Sequence, residues 1–493
     1  MKKVFVFGIS GATWTMIDPL LAAGELPAMR GLIERGARAT LASVRAAGDK
    51  HFRPQIAWPT IATGVGPEKH GVTRFFHRFD DCFEPAVWER FEQAGARVGL
   101  FGWPITWPVR QVNGFLIPAY DGRDPSTWPQ EYSFIRTLDR RQEAARGGRD
   151  TFSKLPFSES FNMLAKLIRG GVRARTFARL MSAAIDIRTR APDELRPLLL
   201  RHARLEISTD IILKLRRKHS PEFCAFVTFL VDYASHRFWM FQEPDRFADA
   251  PKQIPPRLKG AVADAYRAVD RALARILKTL DSNTIVAVLS EHGMAAEEVS
   301  TEIGQWHYVL RPGKLKEFVD VDPAMPAAPV ARWIAFRPPA EQIDQIADRF
   351  REVRIDGTDL PLFQIDVHRG EVIVKLALWR KDLDRIAKPR SGQGAPPSAL
   401  GGVAVPNVHA HESLESLQVR FRDRALPFTS IAQRFGRRRS AMHAEDGVLI
   451  VAGPGIKHGA LDRARLIDVA PTLLHAAGID GSHGLDGAVL DVF

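Results

Sequence analysis

Cysteine is nearly absent: Cys82 and Cys224 are the only two in 493 residues. Two thiols cannot build a disulfide framework or an all-cysteine zinc site, and their scarcity fits a reducing compartment. No apolar stretch approaches the ~18 residues that a membrane-spanning helix needs. The apolar run at residues 4–9 breaks at Ser10-Gly11, too early for the core of a signal peptide, so a cytoplasmic location is expected. Internal repeats, low-complexity composition and nucleic-acid-binding motifs are also missing.

What is present is ordinary globular composition with a positive balance. Lys and Arg number 69 against 57 Asp and Glu, a net charge of +12. At roughly 150 residues per domain, the length implies about three units or one large domain with insertions. Residues 161–190 hold seven basic side chains (Lys166, Arg169, Arg173, Arg175, Arg179, Arg188, Arg190) against one acid, Asp186. Arg434, Arg437, Arg438 and Arg439 form a second concentration. Such clusters favour anionic partners: a small anionic substrate, or peripheral contact of the basic helices with an anionic surface.

Along the chain, short apolar runs alternate with helical patterns. Residues 3–8 and 97–101 read as buried strands, and 27–34 and 84–94 as helices, which argues for α/β with a mostly parallel sheet. Residues 121–220 turn helical and basic. Strands return at 221–231 and 284–289, with an amphipathic helix at 258–280 between them. Residues 312–383 read as a small α+β unit, 388–406 as a Pro/Gly/Ser-rich linker, and 447–452 and 468–477 as a last strand and helix. The expected architecture is a three-layer α/β/α sandwich with a mostly parallel central sheet, a helical cap insertion and a small α+β insertion. Its segments are 1–120, 221–311 and 441–493 for the core, 121–220 for the basic cap, and 312–440 for the α+β insertion and loop.

Residues able to hold a metal fall at the ends of predicted strands, where α/β sheets build their sites. Asp232 and His236 lie four apart, so one helical turn aims both at one cation. Glu291-His292 follows the strand at 284–289, His443 precedes the strand at 447–452, and Ser10 follows the first strand. Oxygen and imidazole donors suit zinc or manganese rather than calcium.

The neighbourhood of these residues resembles the type I phosphodiesterase/nucleotide pyrophosphatase branch of the alkaline phosphatase superfamily. The likeness runs through Phe7-Gly-Ile-Ser-Gly-Ala-Thr-Trp14, Ile61-Ala-Thr-Gly-Val65, Pro67-Glu-Lys-His-Gly71, the Asp232/His236 pair, Glu291-His-Gly293, His443, Ala452-Gly-Pro-Gly-Ile456 and Leu485-Asp-Gly487. It implies a hydrolase with two metals and a Thr or Ser nucleophile. On that pattern Asp232, His236 and His443 hold one metal, and all three are matched. The other metal would be held by an aspartate, by an Asp-His pair and by the nucleophile.

At that second site the sequence departs three times. Ser10 stands where the resemblance calls for the aspartate, Glu291 replaces the aspartate beside His292, and Pro54 occupies the nucleophile's position. No Ser, Thr or Cys occurs from Val44 to Pro59 to take its place. The expectation is therefore one ion, Zn2+ or Mn2+, with the second site weak or absent and Glu291 and His292 holding at most a loose ion. Water would attack directly, Glu291 would be general base with His292 beside it, and Ser10, Arg53 and His51 would contact the substrate. The basic helices around Arg169–Arg179 would shape specificity. The alternatives are a catalytically inactive binder of an anion or protein partner, two-metal chemistry through Ser10 or Thr60, and a serine hydrolase using Ser10.

Overall fold

The computed structural model describes residues 1–49, 51–144, 157–248, 250–297, 308–330, 333–377, 417–434, 439–481 and 483–493. The expected linker at 388–406 and the arginines Arg437 and Arg438 lie outside the described residues.

Eight strands make the central sheet: β1 (Lys3–Ile9), β2 (Gly36–Ala42), β3 (Val98–Phe101), β4 (Gly114–Ile117), β5 (Phe223–Thr228), β6 (Thr284–Ser290), β7 (Asp446–Ala452) and β8 (Gly459–Arg465). Their spatial order is β8-β2-β7-β6-β1-β5-β3-β4. Pairings are parallel except those of β7, which runs antiparallel to both β2 and β6. The central strands are apolar at successive positions because both faces are covered, as parallel sheets require.

Along β1 the side chains alternate between two cores. Phe5, Phe7 and Ile9 enter one core, together with helices α2 (Arg196–His219), α3 (Leu230–Gln242) and α4 (Ala261–Leu277). Val4 and Val6 enter the other, beneath α1 (Pro54–Thr63) and the helix Val469–Ala477. The result is a three-layer α/β/α sandwich. One expectation needs adjusting: α2, read as part of the cap, packs on the sheet through Ile211, Ile212 and Leu215. Its apolar side outweighs its basic composition and makes it a layer helix.

Residues 308–377 and 417–434 carry their own core around Leu315, Ile334, Phe336, Phe350 and Val419. Its four-stranded antiparallel sheet includes Trp333–Phe336 and Glu371–Leu376. Trp333 and Ile373 of this unit pack against Phe76 of the main body. That contact brings the unit to the edge of the site.

Candidate metal centre and its cavity

The carboxyl ends of β1, β5 and β6 converge on one point, and each delivers part of the site. The strand β5 ends at Thr228, so Asp232 falls in the first turn of α3 and His236 one turn later. Gly11, just after β1, has φ +76° and a Cβ there would stand 2.8 Å from the Asp232 Cα. Only glycine gives both that backbone conformation and that approach. His443 arrives on the short strand Ala441–Ala444, paired antiparallel with Gly293–Ala296.

One donor atom each from Asp232, His236 and His443 lies within 4.8 Å of the others. The His443 Nε2 is 3.1 Å from Asp232 Oδ1, and the His236 Nε2 is 3.2 Å from the same oxygen. The two Nε2 atoms face each other at 3.0 Å. Each ring is oriented from behind: His236 Nδ1–H donates to the Ala441 carbonyl and His443 Nδ1–H to the Phe52 carbonyl, both at 2.6 Å. These bonds fix the tautomer and leave both Nε2 lone pairs pointing inward, the arrangement that orients metal-binding imidazoles. Two lone pairs and a carboxylate at such distances repel unless a positive charge is shared. In this structure the Arg439 guanidinium reaches the His236 Nε2.

The titration behaviour agrees with that geometry. Burial, with the Arg439 charge adding to it, pushes His236 down to about 4. Burial and the neighbouring His292 push His443 down to about 3. Burial alone would raise the Asp232 carboxyl, but His236 and His443 hold it well below the usual carboxylate range. The set is therefore two neutral imidazoles and one carboxylate near neutral pH.

The second group of expected ligands is arranged differently. Ser10, Glu291 and His292 are completely buried. Ser10 Oγ donates to Glu291 Oε1 at 2.6 Å, and His292 Nε2 lies 3.2 Å from that oxygen. The His292 ring stacks on His443 with centroids 3.8 Å apart, directly behind the first site. Burial would lower His292, but Glu291 and then Asp232 outweigh it and raise the imidazole. Glu291 Oε2 has no hydrogen-bond partner among the described residues.

A cavity of about 290 Å³ opens beside the Asp232/His236/His443 cluster. All three line it, as do His51, Arg53 and Pro54, whereas Ser10, Glu291 and His292 do not. Glu291, expected as a base, is buried and accepts a hydrogen bond from Ser10, and neither side chain is on the cavity wall. Ser10, expected to contact substrate or to act as a serine nucleophile, is paired with a carboxylate rather than a histidine. Thr60, the other candidate hydroxyl, is buried and bonded to the Ile56 carbonyl and to His70 Nε2.

Pro54 sits at the first position of α1, on the cavity wall. Proline is favoured there because that N–H has no helical partner to lose. The same chain segment is locked to the metal cluster through the bond between the Phe52 carbonyl and His443. Residue 54 thus stands on the cavity wall beside the metal cluster, and its side chain carries no hydroxyl. Arg53 is held against Asp49 at the cavity edge.

Several wall residues were not singled out from sequence. Arg201 and Arg204 come from α2, Arg237 follows His236, and Trp333 and Lys375 come from the α+β unit. Arg204 pairs with Asp139 at 2.6 Å, and Arg201 stacks over the Tyr233 ring. Arg237 and Arg439 were legible as neighbours of matched ligands, but Trp333 and Lys375 carry no local signal. Arg169, Arg173, Arg175 and Arg179, expected to shape specificity, are not among the wall residues.

No curated protein matches the chain. Among solved structures, human ectonucleotide pyrophosphatase/phosphodiesterase 5 is similar at 12% identity, covering 99% of this chain and 97% of that one, with a TM-score of 0.41. The murine counterpart is similar at 12% identity over 97% and 96%, with a TM-score of 0.38. An inactive murine variant in complex with AMP gives 12%, 97% and 96%, and 0.39. The family model described as type I phosphodiesterase/nucleotide pyrophosphatase matches residues 4–392, most of the chain. The protein therefore belongs to that family of the alkaline phosphatase superfamily, whose members are hydrolases and usually metal-dependent.

Proposed function

We propose that the chain hydrolyses a phosphate ester or phosphodiester with one divalent cation and without a covalent enzyme intermediate. The observation that carries this reading is the convergence of Asp232, His236 and His443 on the wall of a cationic cavity that Pro54 also lines; the resemblance calls for a nucleophile at position 54. The donor set, two oriented imidazoles and a carboxylate, fits zinc with an open coordination position, and manganese less closely. When bound, such a cation polarises a phosphoryl oxygen and lowers the pKa of water at the site.

The remaining work belongs to the chain's own groups. Arg53 offers positive charge, and His51 and the first turn of α1 offer N–H donors, to the non-bridging oxygens of the substrate. Phe52, through its carbonyl, keeps the His443 ring from rotating. Phe75, Tyr120 and Trp333 give an organic leaving group an aromatic wall. The buried Ser10–Glu291–His292 unit supports the back of His443 and does not touch substrate. Two free cysteines support a reducing, cytoplasmic compartment as part of the proposal.

A second reading, a non-catalytic binder of an anion, is favoured by Pro54 alone, which closes the covalent route. Metal analysis combined with acid-quenched turnover of a labelled phosphodiester separates the two. One equivalent of metal, steady product release and no labelled protein support direct hydrolysis. Metal-free protein inert towards phosphate mono- and diesters overturns it in favour of the binder. A trapped phosphoprotein overturns the absence of a covalent step.

A further inference from the structure

Outside the site, two consecutive helices combine exposed apolar side chains with unpaired positive charge. The helices Phe157–Gly170 and Ala174–Thr189 both pack on α2, with Leu167, Phe177 and Leu180 against the core. Beside that packed face each helix leaves a large apolar pair in solvent. Leu164 and Ile168 are 42% and 58% exposed, and Met181 and Ile185 are 62% and 58% exposed. Each pair is spaced i, i+4, so its members stack one turn above the other. Eight large apolar side chains are exposed among the described residues, and these four fall within 22 consecutive positions. Isolated exposed apolar residues need no explanation, whereas a stacked pair on each of two consecutive helices calls for one.

The charge around these pairs says what kind of partner fits. Seven basic side chains and one acid lie between residues 161 and 190. The acid, Asp186, is already held by Arg257. Arg179 and Arg173 face Glu206 and Asp210 of α2. Lys166, Arg169, Arg175 and Arg188 are exposed and make no ion pair among the described residues.

We propose that this helix pair docks the protein on the surface of an anionic lipid bilayer. Apolar side chains entering the acyl boundary while flanking Lys and Arg meet anionic headgroups is the physical pattern of an interfacial amphipathic helix. A nucleic acid offers phosphate but nothing to receive Leu164, Ile168, Met181 and Ile185. A second copy would set two strongly basic faces against each other. No described helix is long and apolar enough to cross a membrane, so the contact is peripheral.

The test is sedimentation of the full chain with vesicles of phosphatidylcholine alone or of phosphatidylcholine with phosphatidylglycerol. Binding is expected only to the anionic vesicles, weakening as salt rises. The double variant Ile168→Glu/Ile185→Glu should bind about tenfold more weakly or worse. The variant Arg175→Gln/Arg188→Gln should lose about fivefold per charge and, being altered only at exposed positions, retains the fold if the first does not. Thermal melts of each variant establish that it is folded. Wild-type protein that ignores anionic vesicles, or folded variants that bind them as wild type does, overturns the proposal. A wild-type dimer in solution that the Ile168→Glu/Ile185→Glu change dissociates assigns the surface to a second copy and also overturns it.

Discussion

The substitution His236→Ala tests the metal centre most directly. The structure gives His236 two tasks: its Nδ1–H is bonded to the Ala441 carbonyl, and its Nε2 faces Asp232 and His443. Losing the buried bond to Ala441 costs about 1–3 kcal/mol whether or not metal is present. Losing a metal ligand matters only with metal, and exceeds the ~10–100-fold penalty of losing a supporting partner. A ligand at a thousand times its Kd stabilises a fold by about 4 kcal/mol. Unfolding entropy for a chain of 493 residues is about 1 kcal/mol per degree. Saturating zinc should therefore raise the wild-type melting temperature by about 4 °C. In the variant, a hundredfold weaker site leaves about 1 °C. Paired thermal melts of metal-stripped and zinc-loaded protein measure both increments. Elemental analysis should give one equivalent for wild type and much less for the variant. Equal zinc increments in the two proteins, or two tightly held equivalents in wild type, would refute the single-cation reasoning.

Glu291→Gln keeps an acceptor for Ser10 and lies off the cavity, so metal content should be unchanged and kcat/KM should fall less than about tenfold. A loss of several hundredfold with metal retained would restore the base role. Acid stability follows from three histidines away from the metal cluster: burial lowers His70, His77 and His202 each to about 4. Below about pH 6.5 the unfolded chain binds protons at these rings and the folded one does not until about pH 4, so stability falls across that window as pH drops. The slope contributed is about 1.4 kcal/mol per pH unit for each ring protonated only in the unfolded state. Urea midpoints that stay flat between pH 7 and 5 would contradict it.

The difference between legible and hidden features can be seen residue by residue. Asp232 and His236 were readable as a pair because helical periodicity is local, and the strand before them was readable from its apolar run. The antiparallel entry of β7 was not, because direction within a sheet depends on what the neighbouring strands are. The role of α2 was misread because its basic composition hid the Ile211, Ile212 and Leu215 side that packs on the sheet. Glu291 looked like a free base because sequence shows a carboxylate but not its burial or its bond from Ser10.

The chain itself settled which donors exist, that no Ser, Thr or Cys falls between Val44 and Pro59, and that positive charge concentrates between residues 161 and 190. Those are matters of side-chain chemistry and short-range geometry, and covalent order is enough to state them. Folding alone decided that Lys375, Trp333 and Arg201, far apart along the backbone, share a wall with His443, and that Glu291 faces inward. Proximity across such distances arises from how sheet, helices and insertion pack together, a balance of burial and shape that no local stretch encodes.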